Sequence, residues 1–232
     1  PIREGGVVGR MGAIGGRAAQ RGLRVVEDAA QALGSHRKGR VAGSFGDMAA
    51  FSFHETKNVI SGEGGALTIN DPELTLRAEI IREKGTNRRQ FMRGAIDKYS
   101  WVDIGSSFLP GELVAAFLLA QLEQVDEILG KRISAWNTYH QAFEHAETKG
   151  IVKRMQIPEE CGHNAHMYFL LLPDRDRRDA FLHGMRSQGI VKPFHYIPLH
   201  NSVQGKKCSR FVGDMSVTSD VSDRLVRLPL YC

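Results

Sequence analysis

The 232-residue chain predicts an α/β fold, with a mainly parallel sheet in a large domain over residues 1–125 and a smaller α+β domain over residues 126–232. Three observations predict it. Short apolar runs alternate with helical stretches through the first half, the pattern of strands joined by crossover helices. Polar residues and glycines gather at the carboxyl ends of two of those runs, where α/β sheets bind their ligands. In the second half, a polar stretch around Pro158 and Cys161-Gly162 separates a long helical region from a new strand and helix.

In chain order, residues 13–21 have helical character, and residues 23–26 read as a buried strand ending in Glu27-Asp28-Ala29-Ala30-Gln31. Residues 35–43 read as a hairpin around Lys38-Gly39-Arg40, whose glycine supplies the turn conformation. The small and apolar run 48–53 suits a central strand covered on both faces. Residues 66–69 give another short strand. Asp71 then offers an N-cap with Pro72 at the first helical position, and 73–82 continue as helix. From 112 to 129 the positions Leu113, Ala116, Phe117, Ala120 and Val125 recur at helical spacing. The pattern resumes past Gly130 to 143, so one long, bent helix is expected. Residues 167–172 then read as strand, 179–188 as helix and 189–194 as a return.

Composition narrows the function classes. With 42% hydrophobic and 25% charged residues the chain is ordinary globular material. No apolar run reaches the roughly 20 residues of a membrane span, and no signal-peptide pattern opens the chain. The opening Pro1-Ile2-Arg3, without Met, has the look of a fragment. Cys161, Cys208 and Cys232 are odd in number and far apart, which argues against a disulfide framework and a Cys-x-x-Cys metal site and fits the cytoplasm. The net charge of +5 is spread over interleaved signs, as in Arg175-Asp176-Arg177-Arg178-Asp179. That predicts a solvated mixed surface, no nucleic-acid or membrane partner, and a weak positive field suited to a phosphate-bearing substrate.

The most chemical segment is Phe51-Ser52-Phe53-His54-Glu55-Thr56-Lys57-Asn58, followed by Gly62-Glu63-Gly64-Gly65. It sets one lysine in a polar, glycine-bounded loop after an apolar strand. An amine attacks carbonyls only when neutral, and burial with a nearby cationic centre lowers its pKa from about 10.4. Pyridoxal phosphate needs such an amine to hold it as a Schiff base, and a carboxylate beneath its pyridine nitrogen; Asp28 is the candidate for the second. The plainer readings are a surface lysine at 57 and a helix N-cap at Asp28. His163 and His166 are spaced as metal ligands, but no third ligand lies nearby and no metal is expected. His195 and His200 flank a turn-like stretch that lines a sugar pocket or merely packs. A competing reading takes Gly9, Gly12 and Gly15 after Val7-Val8, with Asp28 downstream, as the start of a nicotinamide-dependent oxidoreductase. Its glycines recur every third residue rather than as G-x-G-x-x-G, and it leaves the lysine loop without a role.

Val25-Val26-Glu27-Asp28-Ala29-Ala30-Gln31, the lysine segment, Gly62-Glu63-Gly64-Gly65 and Phe194-His195-Tyr196-Ile197-Pro198-Leu199-His200 together resemble the DegT/StrS family of nucleotide-sugar aminotransferases. Within it, Arg82-Glu83-Lys84-Gly85-Thr86-Asn87-Arg88, Asp97-Lys98-Tyr99 and Asp103-Ile104-Gly105-Ser106-Ser107 are similar to the dTDP-4-amino-4,6-dideoxygalactose transaminase subgroup. The resemblance implies the fold type I architecture of pyridoxal-phosphate aminotransferases, truncated at both ends. It also implies a homodimer with shared active sites, and glutamate as amino donor to a dTDP-4-keto-6-deoxyglucose in making an amino sugar for a cell-surface polysaccharide. By matching position, Lys57 would carry the Schiff base and shuttle protons, and Asp28 would pair with the pyridinium. Gln31 would lie against the ring, Ser52 would hold the phosphate, and Ser107 would reach the neighbouring subunit's phosphate. His195 and Tyr196 would contact sugar. The sequence departs from the family in lacking its N-terminal third and in carrying Ser106-Ser107 where many members have Tyr-Asn. A catalytically inactive fragment or regulator of the same fold is the remaining alternative.

Overall fold

The computed structural model describes residues 1–2, 4–191 and 195–231. In chain order the elements are helix α1 (Met11–Ala19), strands β1 (Val26–Asp28), β2 (His36–Arg37), β3 (Arg40–Val41), β4 (Met48–Ser52) and β5 (Gly65–Ile69), and helices α2 (Thr75–Arg82), α3 (Arg88–Met92) and α4 (Glu112–Glu123). They continue with helices α5 (Val125–Ala142) and α6 (Glu144–Thr148), strands β6 (Lys153–Arg154), β7 (Cys161–Gly162) and β8 (Tyr168–Leu171), helices α7 (Arg175–Ser187), α8 (Val203–Cys208) and α9 (Ser216–Arg224), and strand β9 (Leu225–Leu228). The chain divides into two compact units: Pro1–Ile128 with Glu160–Asn164, and Leu129–Glu159 with Ala165–Cys232. Among the described residues no helix is long and apolar enough to cross a membrane.

In the first unit a sheet of order β1-β4-β5 carries the motifs. Strands β1 and β4 are parallel, with Val26 opposite Met48 and Asp28 opposite Ala50. Strand β5 is antiparallel to β4, from Met48–Ile69 to Ser52–Gly65. The strand expected at 23–26 lies later, at 26–28, and Leu23 is 61% exposed. The two acids therefore sit inside the strand. Its two-residue alternation turns Glu27 into the core and Asp28 outward. Asp28 is not a helix N-cap: the chain turns after it, and its Oδ1 accepts the Ala30 N–H at 3.1 Å. Strand β4 is not covered on both faces, since Ala49 is buried and Ala50 exposed.

A second small sheet joins the β2–β3 hairpin to β7. Its turn puts Lys38 at φ 49° and Gly39 at φ 76°, both left-handed, as the tightest antiparallel connections require. Among the described residues the glycine-rich start has no more than an isolated parallel bridge, Ile2 to Asp28, before its glycines; Glu4–Gly6 is a 3-10 turn and Gly12 and Gly15 lie inside α1. The strand–turn–helix context of a dinucleotide site is absent among the described residues, Arg3 lying outside them.

The long helix expected over 112–143 is two helices. Gln124 leaves helical geometry at φ −108°, ψ 14°, ending α4 before α5 begins.

In the second unit β6, β8 and β9 form an antiparallel sheet with β8 central. Helix α7 begins at 175 rather than 179, because the Asp174 carboxylate accepts the Arg177 N–H at 2.7 Å and caps it. Residues 189–191 form no strand, and 192–194 of the expected return lie outside the described residues. The third strand of this sheet is β9.

Candidate active site

Because β1 and β4 run parallel, their carboxyl ends leave the same end of the sheet. Asp28 closes β1 and Ser52 closes β4, and the loop 53–61 with Lys57 follows directly. That loop is tied at its base. Phe53 N–H donates to Gly64 O at 2.9 Å, Glu55 N–H to Gly62 O at 2.9 Å, and Ser61 N–H to Phe53 O at 2.7 Å. Gly64 lies at φ 145°, which only glycine adopts without strain. Lys57 is half-buried at the apex, its N–H on His54 O at 2.9 Å, while Asn58 and Val59 behind it are buried. The Ser52 hydroxyl accepts the His54 N–H at 3.3 Å, and His54 Nδ1 accepts the Thr56 N–H at 3.2 Å.

Asp28 is exposed at this sheet end, and Gln31, three residues on, is half-buried. The Gln31 Oε1 accepts the Gly5 N–H at 2.7 Å, so the side chain joins the start of the chain to the turn after Asp28. Lys57, Ser52, Asp28 and Gln31 thus belong to segments that emerge from one edge. Ser107 is in the same unit but elsewhere in its topology, in an isolated bridge with Glu83. His195 and Tyr196 belong to the second unit, both exposed.

Two buried residues that hold the segments of the candidate site have no role in the sequence analysis. Glu27 is fully buried and accepts three backbone N–H groups, from Gly43 at 3.1 Å, Phe45 at 2.5 Å and Gly46 at 2.7 Å. It anchors the turn that leads into β4. Gly46 must be glycine there, since a Cβ would sit 2.4 Å from Val25 O. The signal was a second acid beside Asp28, which strand alternation sends to the opposite face. Asn164 is buried between His163 and His166, and its links to the lysine loop and to the turn after Asp28 have no local sequence signal.

The first unit also has an open hollow of about 280 Å³ lined by Glu83, Lys84, Thr86, Arg88, Tyr99 and Leu109, which includes none of Lys57, Asp28, Gln31 or Ser52. Nearby, the Asp103 carboxyl is held below its ordinary range by the Ile104 N–H at 2.7 Å and the Arg77 guanidinium at 3.0 Å.

A half-buried primary amine, flanking hydroxyls and a carboxylate across a parallel strand pair can bind an aldehyde covalently and hold a cationic ring at its far end. The fold is that of the α/β aminotransferases. The chain belongs to the DegT/DnrJ/EryC1/StrS aminotransferase family, whose model matches residues 1–232. It is 29% identical to the spore coat polysaccharide biosynthesis protein SpsC of Bacillus subtilis, over 100% of this chain and 61% of the relative. It is 28% identical to dTDP-4-dehydro-2,3,6-trideoxy-D-glucose 4-aminotransferase of Saccharopolyspora spinosa, over 99% of this chain and 59% of the relative. The crystal structure of S. venezuelae DesV in complex with a ketimine intermediate superposes with a TM-score of 0.84 at 28% identity, covering 100% of this chain and 59% of that one. The chain thus spans about three-fifths of the length of these relatives.

Proposed function

We propose that the protein takes part in pyridoxal-phosphate-dependent transfer of an amino group from glutamate to the keto carbon of a nucleotide-bound 4-keto-6-deoxy sugar, a dTDP-linked one by its similarity to the named subgroup. The observation that carries the reading is the parallel β1–β4 pair, which brings Asp28 and the Ser52–Lys57 segment out at one end of the sheet. Supporting it are membership of the aminotransferase family and the activity for which the S. spinosa relative is named. When bound, the cofactor supplies an electron sink that makes the carbon–hydrogen bond next to nitrogen acidic.

The remaining roles fall to this chain. Lys57 Nζ would hold the cofactor through its aldehyde carbon as an imine, the aldehyde oxygen leaving as water. As a free amine, Lys57 Nζ would be the group that carries a proton to and from the reacting carbon. Asp28 holds a proton on the ring nitrogen by charge. Ser52 donates its hydroxyl to the phosphate, Gln31 lies along the ring, and Ser107 serves a neighbouring subunit's phosphate in a homodimer. His195 and Tyr196 contact the sugar. Cys161 and Cys208 are free thiols, which suits a cytoplasmic enzyme. The SpsC relative's role in polysaccharide biosynthesis supports an amino sugar destined for a surface polysaccharide.

The test is absorbance of the full-length protein with pyridoxal phosphate. A visible band is expected in the wild type and absent in Lys57→Ala, with amino-transfer activity down at least about 10³-fold. The same band in both proteins would remove Lys57 from the reaction.

A further inference from the structure

We propose that Asn164 is the positioning residue that sets the separation between Lys57 and Asp28, an inference that rests on reading those two as the cofactor's anchors. The ladder between β1 and β4 ends where the chemistry begins: the register stops at Asp28 opposite Ala50, with one further bond from Ala29 N–H to Ala50 O at 2.9 Å. Beyond it the chain after Asp28 turns away, and the chain after Ser52 folds into the lysine loop. Strand pairing alone therefore leaves the two loops free to move against each other.

Asn164 ties them. Its Nδ2 donates to Gln31 O at 2.8 Å and to Leu33 O at 2.9 Å, both in the turn that follows Asp28. Its backbone carbonyl accepts the Nδ2–H of Asn58, the residue after Lys57, at 2.7 Å. Asn164 is 2% exposed and Asn58 9% exposed, so these bonds lie out of water, where each is electrostatically stronger and where a lost partner leaves a buried group unsatisfied. The surroundings are shaped to the amide. Gly6, at φ 78°, has no Cβ, and one built there would lie 2.0 Å from Asn164 Oδ1 and 3.1 Å from Gln31 O. The neighbouring Gly5 N–H goes to the Gln31 side chain at 2.7 Å. A residue more than 130 positions from Gln31 in sequence thus holds both halves of the proposed site in one rigid frame.

The distance between amine and acid must match the cofactor's length, and misplacement by about 1 Å is worth around a hundredfold in a positioned reaction. The experiment uses full-length protein stripped of cofactor, with Asn164→Ala and Asn164→Asp, the second keeping shape but losing both donors. A control is Asn70→Ala, since Asn70 Nδ2 likewise donates to two carbonyls, Gly43 O at 2.9 Å and Gly46 O at 2.8 Å, away from the lysine loop. Pyridoxal phosphate dissociation constants, the visible band and thermal midpoints are measured for all. Both Asn164 variants are expected to weaken cofactor binding about tenfold or more and to shift the band, while Asn70→Ala lowers the midpoint with cofactor affinity within about twofold. If Asn164→Ala fails to fold, Asn164→Asp carries the test. Wild-type affinity and band in Asn164→Asp would overturn this inference alone. A wild-type protein without a Lys57-dependent band would overturn the cofactor reading, and this inference with it.

Discussion

Strand β8 of the second unit alternates between buried and half-buried residues and β9 buries three of its four, whereas helix α4 of the first unit buries none of its residues. In β8, Tyr168 and Leu170 are fully buried, and the Tyr168 ring meets Trp136 edge-on at 5.2 Å. Arg132, buried there, donates to the carbonyls of Ala165, His166 and Leu230 at 2.9–3.2 Å. That unit closes its own core. In the first unit Leu113 is 88% and Trp101 76% exposed, and the buried cluster is built mostly from small residues, Ala29, Ala32, Ala42 and Ala49 with Val8 and Met11. A helix as apolar as α4 on every side belongs inside a protein. The difference teaches that the unit carrying the proposed chemistry holds its site by polar links, not by a large apolar core of its own.

The sharpest way to break that comparison is to cut the polar links. Glu27→Ala leaves three N–H donors unsatisfied, two of them buried and one half-buried, and is expected to destabilise the first unit by about 3 kcal/mol or more. Asp28→Asn, next along the strand but outward, should change stability by less than about 0.5 kcal/mol while lowering amino transfer about a hundredfold. Denaturant melts and turnover on both variants check the pair; equal stability losses would mean that the alternation is misread.

A smaller effect is expected from pH in the second unit. Burial, then the Arg154 charge, lowers the His140 pKa below 6.5. Its contribution is therefore complete above the unfolded value and fades as pH falls through about 6.5. Hydrogen bonds from the Arg154 backbone and side chain lower the Glu147 pKa below 4.5, so that contribution fades at still lower pH. Burial pushes Tyr168 up to about 12, which favours its neutral form in the fold. That stability is present below the unfolded value of 10.0 and is lost as pH rises from 10 towards 12. Thermal midpoints against pH should show a plateau between about 7 and 10, falling on both sides. Tyr168→Phe should remove the alkaline fall; a fall that persists would place its origin in another group.

The smallest effect concerns α4. Leu113→Lys in the 232-residue chain should move stability by no more than about 0.5 kcal/mol, since the side chain is already in water. In a chain extended to the relatives' length, the same change is expected to cost more than about 1 kcal/mol where that face is covered. Equal small shifts in both would mean that the face stays wet.

Local features were legible because their cause lies within a few residues. Lys38-Gly39 makes its turn through left-handed φ values, and Asp71 caps the Pro72 turn by accepting the Glu73 N–H at 3.0 Å. Helix α4 and helix α5 merged in the sequence reading because hydrophobic spacing passes through Gln124 unbroken, while the break is a backbone event. The strand at 26–28 was read three residues early because Leu23 and Val25 are apolar, yet the parallel partner Met48–Ala50 sets where pairing starts.

By itself the sequence determined which residues bring reactive chemistry: an amine in a glycine-bounded loop, acids at a strand end, hydroxyls beside them. It also determined the turns and caps, since these follow from side-chain geometry over three or four residues. Only the tertiary structure decided that Glu27 faces inward to clasp the turn from Gly43 to Gly46, and that Asn164 crosses from the far half of the chain to join the two loops. The reason is physical: strand alternation and buried hydrogen bonds between distant segments are settled by which surfaces leave water together, and no window of sequence contains both partners.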